Sequence, residues 1–391
     1  MSTIFNFLKS SLWYFVLPAC LSVAFVPLVK KFGLDLEIYA EENKRTVHHG
    51  KIVRIGGVAI FLAFNIALAY FFRADQTING VMLGGIIVFI TGLVDDMIDL
   101  KPKVKLLFQC VAAIVAMVFG GISLEAIYLP LGITIKLGAV NLLITFLWLI
   151  GVTNAINLID GLDGLSSGIC MIVLFTISII AYQMMRIDIW MMSIILAGSI
   201  VGFWIFNFHP ASIFMGDCGA LYLGFMIACF SLMGFKTATV ITLGFPIMVL
   251  FVPISDTLIA IVRRKLRGEK FDVADRGHMH HVLMYRLNLG HLKAVLVLYV
   301  VTFLFSVDAL ITYKNEKLGM ILLVILLFFF DLFIEFTGMV NGKYHPLLTL
   351  AHKVFGWPKI VSLADAVTEE VTEETKEETA EEMLEETKAE E

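Results

Sequence analysis

Apolar residues in this chain fall in long blocks, not at the alternation of a half-buried strand or the spacing of an amphipathic helix. About eleven blocks stand out, near residues 11–30, 52–72, 79–95, 104–121, 139–156, 163–182, 189–207, 216–234, 237–262, 292–313 and 318–337. A helix that crosses a bilayer needs about 20 largely apolar residues. The pattern therefore predicts an all-α polytopic membrane protein with about eleven transmembrane helices. No polar connection is long enough to bury a core of its own. One multi-span membrane domain is expected over 1–345, a juxtamembrane segment over 346–363 and a tail over 364–391. One connection breaks the pattern: LEAIYLPLGITIKLG, at 124–138, alternates around Pro130 and Gly132 and predicts a short β-hairpin.

Composition strengthens this reading. The chain is 59% hydrophobic and 16% charged, with a mean hydropathy of +0.88, against about 45–50% and about 25% for soluble domains. The first block lacks a small-residue cleavage pattern and reads as a retained span. Five cysteines, Cys20, Cys110, Cys170, Cys218 and Cys229, show no paired spacing, so neither a disulfide framework nor a zinc ribbon is supported. The net charge of −5 is concentrated in a low-complexity tail of TEE, KEE and AEE units from Glu369 onward, which cannot bury apolar surface.

Lysine and arginine in short loops set orientation. Lys30, Lys31, Lys44, Arg45, Lys51 and Arg54 fill the first loop, Lys101, Lys103 and Lys105 the third, and Arg263, Arg264, Lys265, Arg267, Lys270, Arg276 and Arg286 the loop after span nine. The alternate connections carry one or two each. The basic loops are thus expected in the cytoplasm, with the N-terminus outside, the hairpin outside and the C-terminus inside. Counting spans then places four polar stretches on the inner face: DDMID (95–99), NAINLIDGLDG (154–164), FHPASIFMGDCG (208–219) and DRGHMHH (275–281).

Each stretch supports a chemical reading and a plainer one. Asp95, Asp96 and Asp99 sit three and four residues apart, on neighbouring helix faces. Such acids either gather a cation, as Mg²⁺ does with carboxylates and substrate phosphates, or end a solvated helix. Lys105 stands where it meets an anion, or serves as a positive-inside anchor. Asn157, Asp160 and Asp163 recur every three residues with Gly161 and Gly164 between them; they contact a ligand closely or cap a turn. Asp217 opens a span between Gly216 and Gly219, as a ligand or as a cap on the helix dipole. Phe214 stacks on a planar base or packs at the boundary. Arg276, His278, His280 and His281 are a dense donor cluster that suits phosphate better than zinc, since no cysteine joins it, or else is plain surface. Acids for a metal and bases for phosphates together point to phosphoryl transfer.

From KRTVHHGKIVRIGG at about residue 45 to about residue 290, the four motifs resemble the polyprenyl-phosphate N-acetylhexosamine-1-phosphate transferases (glycosyltransferase 4 family). The HxHH pattern is similar to the WecA-like branch. Val53 and Met279 depart from a frequent proline and isoleucine, neither at a charged position. The resemblance implies transfer of GlcNAc-1-phosphate from UDP-GlcNAc to undecaprenyl phosphate, giving undecaprenyl-diphosphate-GlcNAc and UMP for cell-envelope polysaccharide synthesis. It implies a Mg²⁺ cofactor, with Mn²⁺ as substitute, and a bacterial inner-membrane site facing the cytoplasm. Asp95 and Asp96 would be the acid pair, Asp217 the principal metal ligand with Asn157, and Asp160 and Asp163 the border of a uridine pocket with Phe214 on the uracil. Lys105, Arg276 and the three histidines would hold phosphates. No nucleic-acid partner is expected, and a homodimer is allowed. Two alternatives stand: an MraY-like phospho-MurNAc-pentapeptide transferase, and an ion-coupled transporter. Against the transporter, the acids sit at helix ends and not near the midplane.

Overall fold

The computed structural model describes residues 2–40, 51–73, 75–129, 133–234, 244–268, 277–340, 346–347, 349 and 353. Arg276, most of the juxtamembrane segment and the acidic tail lie outside them. The fold is that of an all-α polytopic membrane protein. Eight helices are long and apolar enough to cross a membrane: α1 (Ser2–Asp35), α3 (Gln76–Ile98), α5 (Asn141–Ile159), α6 (Leu165–Gln183), α7 (Ile187–Asn207), α8 (Gly216–Gly234), α12 (His291–Lys314) and α13 (Glu316–Thr337). The other three expected spans are shorter. Two are α2 (Gly57–Phe71) and α4 (Pro102–Val118). The third, expected over 237–262, is two helices among the described residues: α9 (Gly244–Val249) and α10 (Phe251–Arg267). Pro246 and Pro253 each fall in a first turn, where a missing N–H costs nothing and a fixed φ suits the helix.

Large apolar side chains face outward, among them Leu83 and Ile90 on α3, Leu107 and Ile114 on α4, and Leu143 and Leu147 on α5. On a soluble protein these would be patches; on this one they are the surface lipid requires. With lipid no less apolar than leucine, helices pair by close approach of small residues. A Cβ at Gly198 or Gly202 on α7 would run into the Phe15 or Ala19 carbonyl of α1.

The described residues divide into two compact units, one drawn from 1–257 and 291–321, the other from 258–290 and the described residues after 321. In the first, α3 packs on α4 and α8, α5 on α8, and α7 on α1 and α6. The expected hairpin is there: β3 (Ala126–Leu129) pairs antiparallel with β4 (Ile133–Lys136), Ala126 opposite Lys136. A smaller ladder joins β1 (Tyr39–Ala40) to β2 (Ile52–Val53). In the second unit, short helix α11 (Met279–His281) leads into a π-turn over Val282–Arg286. There the buried Arg263 donates to the Met339 carbonyl at 2.9 Å, and Arg286 to Thr337 at 2.8 Å.

Candidate active site

The site grows from the meeting of two helix ends. α3 stops at Asp99, which takes a left-handed φ of 49°, and α8 starts at Gly216, φ 74°. A Cβ on Gly216 would lie 2.6 Å from Asp96 Oδ2 and collide with the Arg54 carbonyl, so glycine is required there on two counts. Asp96 Oδ1 accepts the Asp217 N–H at 2.9 Å and Oδ2 the Cys218 N–H at 3.0 Å. The carboxylate of one helix thus caps the bare amides and positive dipole end of another. Arg54 locks the arrangement from the first loop, donating through Nε to the Asp96 carbonyl and through Nη2 to Asp99 Oδ1, both at 3.0 Å. Beside it, Phe214 N–H donates to the Val53 carbonyl at 2.8 Å, and Gly56 and Gly57 donate back to Phe214 and Met215.

Asp95, one residue before this cap and 6% exposed, has a different set of partners. Its Oδ1 accepts the Leu100 N–H at 2.8 Å and its Oδ2 accepts Lys105 Nζ at 2.9 Å. The same ammonium reaches Asp217 Oδ2 at 2.9 Å, while Asn157 Nδ2 donates to Asp217 Oδ1 at 3.1 Å. Asp95, Asp96 and Asp217, from α3 and α8, thus converge with Lys105 of α4 and Asn157 of α5. A turn away from the last two, Asn154 Nδ2 donates to Gln109 Oε1 at 2.6 Å and Gln109 returns the bond at 3.4 Å, fixing α4 against α5.

Three carboxylates against one ammonium leave an excess of negative charge in a half-buried place. The donor set is carboxylate and amide oxygen, which are hard ligands of the Mg²⁺ class. Lys105 Nζ, equidistant from two acids, occupies the position where positive charge is needed. The residues present fit a Mg²⁺ site.

Asp160, at the end of α5, is half-buried; burial first, then the charges of Asp217, Asp96 and Asp163, push its carboxyl up to about 8. It therefore belongs electrostatically to the cluster. Asp163 has other neighbours: its Oδ2 accepts the Ala211 N–H at 3.1 Å and faces His209 Nδ1 at 2.8 Å. Phe214 is half-buried, with its backbone tied to the first loop. His278 and His280 are buried and His281 half-buried within the second unit, the three rings in a file with centroids 5.9 and 4.3 Å apart. Arg276 lies outside the described residues.

Sequence reading gave no site role to Arg54, Gln109, Asn154 or Asn207. Gln109 and Asn154 carried a weak signal, one turn from Lys105 and Asn157 on apolar helices. Asn207 carried none, yet it accepts from the Gly164 N–H at 3.2 Å and Ser167 Oγ at 2.8 Å, and donates to the Ile213 carbonyl at 3.0 Å.

Residues 78–235, which hold the whole cluster, match glycosyl transferase family 4. A probable undecaprenyl-phosphate N-acetylglucosaminyl 1-phosphate transferase of Bacillus subtilis is 37% identical, the match covering 82% of this chain and 90% of the relative. A decaprenyl-phosphate N-acetylglucosaminephosphotransferase of Mycobacterium leprae is 34% identical over 70% of this chain and 76% of its own. A phospho-N-acetylmuramoyl-pentapeptide-transferase of Streptococcus pneumoniae is 32% identical, over 56% and 71%. With nearly the full length of the first relative covered and the matched segment holding the acid cluster, the chain belongs to glycosyl transferase family 4.

Proposed function

We propose that this protein transfers GlcNAc-1-phosphate from UDP-GlcNAc to undecaprenyl phosphate in the bacterial inner membrane, on its cytoplasmic side, releasing UMP. The observation that carries the reading is the single lysine held between two acids at the junction of helix ends, a charge arrangement suited to a metal and a diphosphate. The relatives named for N-acetylglucosamine transfer share more of this chain than the muramoyl-pentapeptide one, which favours GlcNAc.

In the reaction, an oxygen of the lipid phosphate attacks the β-phosphorus of UDP-GlcNAc, the bond to the bridging oxygen breaks, and UMP leaves with that oxygen. A phosphomonoester has its second pKa near about 6 and is mostly dianionic at neutral pH, so the nucleophile needs no strong base. Asp95, tethered by Leu100 N–H and Lys105, positions Lys105 and not a proton. Lys105 swings its ammonium from the acids to the diphosphate as substrate enters, countering charge that builds on UMP. Asp217 and Asn157, with Asp95 alongside, would hold Mg²⁺, which when bound supplies charge neutralisation to the leaving phosphate. Asp160, carrying a proton, donates a hydrogen bond to the nucleotide.

The experiment is UMP release by the purified protein with undecaprenyl phosphate and a panel of UDP-sugars that includes UDP-MurNAc-pentapeptide, with and without Mg²⁺. UDP-GlcNAc with Mg²⁺ is the productive combination, and Asp217→Asn inserts normally but releases no UMP. Release from the pentapeptide donor alone, or near-native turnover of Asp217→Asn, overturns the reading. Exchange of labelled UMP into UDP-GlcNAc without lipid would replace direct attack by a covalent aspartyl route.

A further inference from the structure

The turn that joins α5 to α6 is held by a helix that contributes nothing to the acid–lysine cluster. Asp160 caps α5, and α6 starts after Gly164, whose φ is 76°. Two successive amides of this turn find their acceptors on other helices. The Asp163 N–H donates to Nε2 of His291, the first residue of α12, at 3.1 Å, and the Gly164 N–H to Asn207 Oδ1 of α7 at 3.2 Å. The Gly164 carbonyl, besides its helical bond from the Gly168 N–H, accepts the hydroxyl proton of Tyr299, about two turns further along α12.

We infer that His291 and Tyr299 are positioning residues for the donor nucleotide: from α12 they fix the backbone of the turn and with it the aim of Asp160 and Asp163. The inference rests on the transferase reading, in which this turn meets the UDP-sugar. The Asp160 N–H donates to the Asn157 carbonyl at 3.2 Å, and Asn157 in turn reaches Asp217. The turn is therefore continuous with the acid cluster, and the two α12 side chains act on the cluster only through it.

Both contacts are specified by their surroundings. Trp204 Nε1 of α7 donates to the Tyr299 hydroxyl at 3.2 Å. An indole N–H can only donate, so the hydroxyl takes it on a lone pair and turns its own proton to Gly164. A Cβ on Gly168 would run into the Tyr299 ring and hydroxyl, so α6 keeps a glycine notch for that side chain. His291 accepts an amide proton through Nε2 and therefore carries its own on Nδ1. Its ring stacks on His209, centroids 4.0 Å apart. His209 Nδ1 and the Ala211 N–H both meet Asp163 Oδ2, at 2.8 and 3.1 Å. Backbone and side chain of Asp163 are thus fixed by separate partners.

A turn that is ordered before its ligand arrives has less entropy to lose on binding. Without either contact the turn samples other conformations, and UDP-GlcNAc must order it. The lipid phosphate, Lys105 and Asp217 stand outside this path, so the loss falls on donor affinity more than on the chemical step. α12 thereby sets how tightly the donor is held, although it supplies no group to the reaction.

The test compares Tyr299→Phe, His291→Ala and His291→Gln as full-length protein in detergent. Glutamine sets its amide oxygen near the place of Nε2 and returns the acceptor; alanine does not. KM for UDP-GlcNAc should rise by about fivefold in Tyr299→Phe and His291→Ala, the scale of one hydrogen bond. KM for undecaprenyl phosphate stays put, kcat changes by less, and His291→Gln lies near the wild type. Hydrogen exchange without substrate gives a second readout. The amides of residues 163 and 164 exchange faster in His291→Ala and Tyr299→Phe and regain protection in His291→Gln. Should His291→Ala fail to fold, Tyr299→Phe, which deletes a single oxygen, carries the test. A lower melting temperature with donor KM unchanged would mean that the contacts only stabilise the fold, and overturns the inference; so does an equal rise in KM for both substrates. A wild type that releases no UMP from UDP-GlcNAc overturns the transferase reading and this role with it, whereas quickened exchange with donor KM unmoved overturns the role alone.

Discussion

The two ends of the first unit handle charge in opposite ways. At the start of α3, Asp75 Oδ1 accepts the Ile78 N–H at 2.9 Å, three residues away. At the start of α7, Arg186 grips Asp188 with two bonds of 3.1 and 2.8 Å, two residues away, and sends its remaining nitrogen to the Met233 carbonyl. A cavity of about 130 Å³ lies there, lined by Thr77, Ser123, Arg186 and Met233 among others. At the other end of the same helices almost every charge reaches far along the chain: Arg54 to Asp96, Asn157 and Lys105 to Asp217, Asp96 to the Asp217 and Cys218 amides. Charges satisfied within a turn finish a helix. Charges that wait for partners on other helices build a site, and only there does removing one unbalance several elements.

The largest effect that follows is at Lys105. Lys105→Ala leaves Asp95 and Asp217 facing each other without their common cation, and UMP release should fall by about a hundredfold or more, the scale of losing a transition-state charge donor. Arg186→Ala, an equal loss of charge at the other end, should change turnover less than about twofold and stability by about 0.2–1 kcal/mol, as a partly exposed pair does. Equal losses of turnover in both variants would erase the contrast.

The two capping aspartates make a finer test. Asp75→Ala removes a local cap, costing about 1 kcal/mol with turnover untouched. Asp96→Ala strips two amides of their acceptor at the junction that aims Asp217. It should lower the melting temperature more and reduce UMP release with it. Asp96→Asn, which keeps one accepting oxygen, separates the roles. If it recovers the melting temperature but not turnover, Asp96 acts in the chemistry as well as at the cap.

Much of this was legible because lipid and water sort residues so strictly. Uninterrupted apolar blocks located the helices, and the LEAIYLPLGITIKLG alternation located the hairpin. Acids in an oily chain are few enough that Asp95, Asp96 and Asp217 stood out one by one. Which oxygen met which partner was not legible. Asp96 as the cap of α8 depends on the packing of α3 against it, and Arg54 read as one of many positive-inside charges until its fork was seen to close on Asp96 and Asp99. The break at Leu250 was hidden inside one hydrophobic block, since Pro253 withholds an N–H from the preceding helix and leaves hydropathy intact. His209 and His291 were silent because their meeting with Asp163 joins segments far apart along the chain.

The narrowest test is also the most specific to charges acting at a distance. With its carboxyl held at about 8, against an ordinary 3.8, Asp160 binds its proton more tightly in the folded chain than in the unfolded one. Between those two values the folded state carries the extra proton, so this residue's contribution to stability falls as pH rises and levels off above about 8. Asp160→Asn has no proton to lose. The wild type and Asp160→Asn should therefore melt alike near the low end of the window, with the wild type lower at its alkaline end. Repeating the comparison in an Asp217→Asn background separates burial from charge. Burial remains there, while the largest neighbouring charge is gone, so the midpoint of the difference curve should move to lower pH. A midpoint that stays put would mean that Asp160 feels only its burial, and would remove it from the group of residues that act across the helix ends.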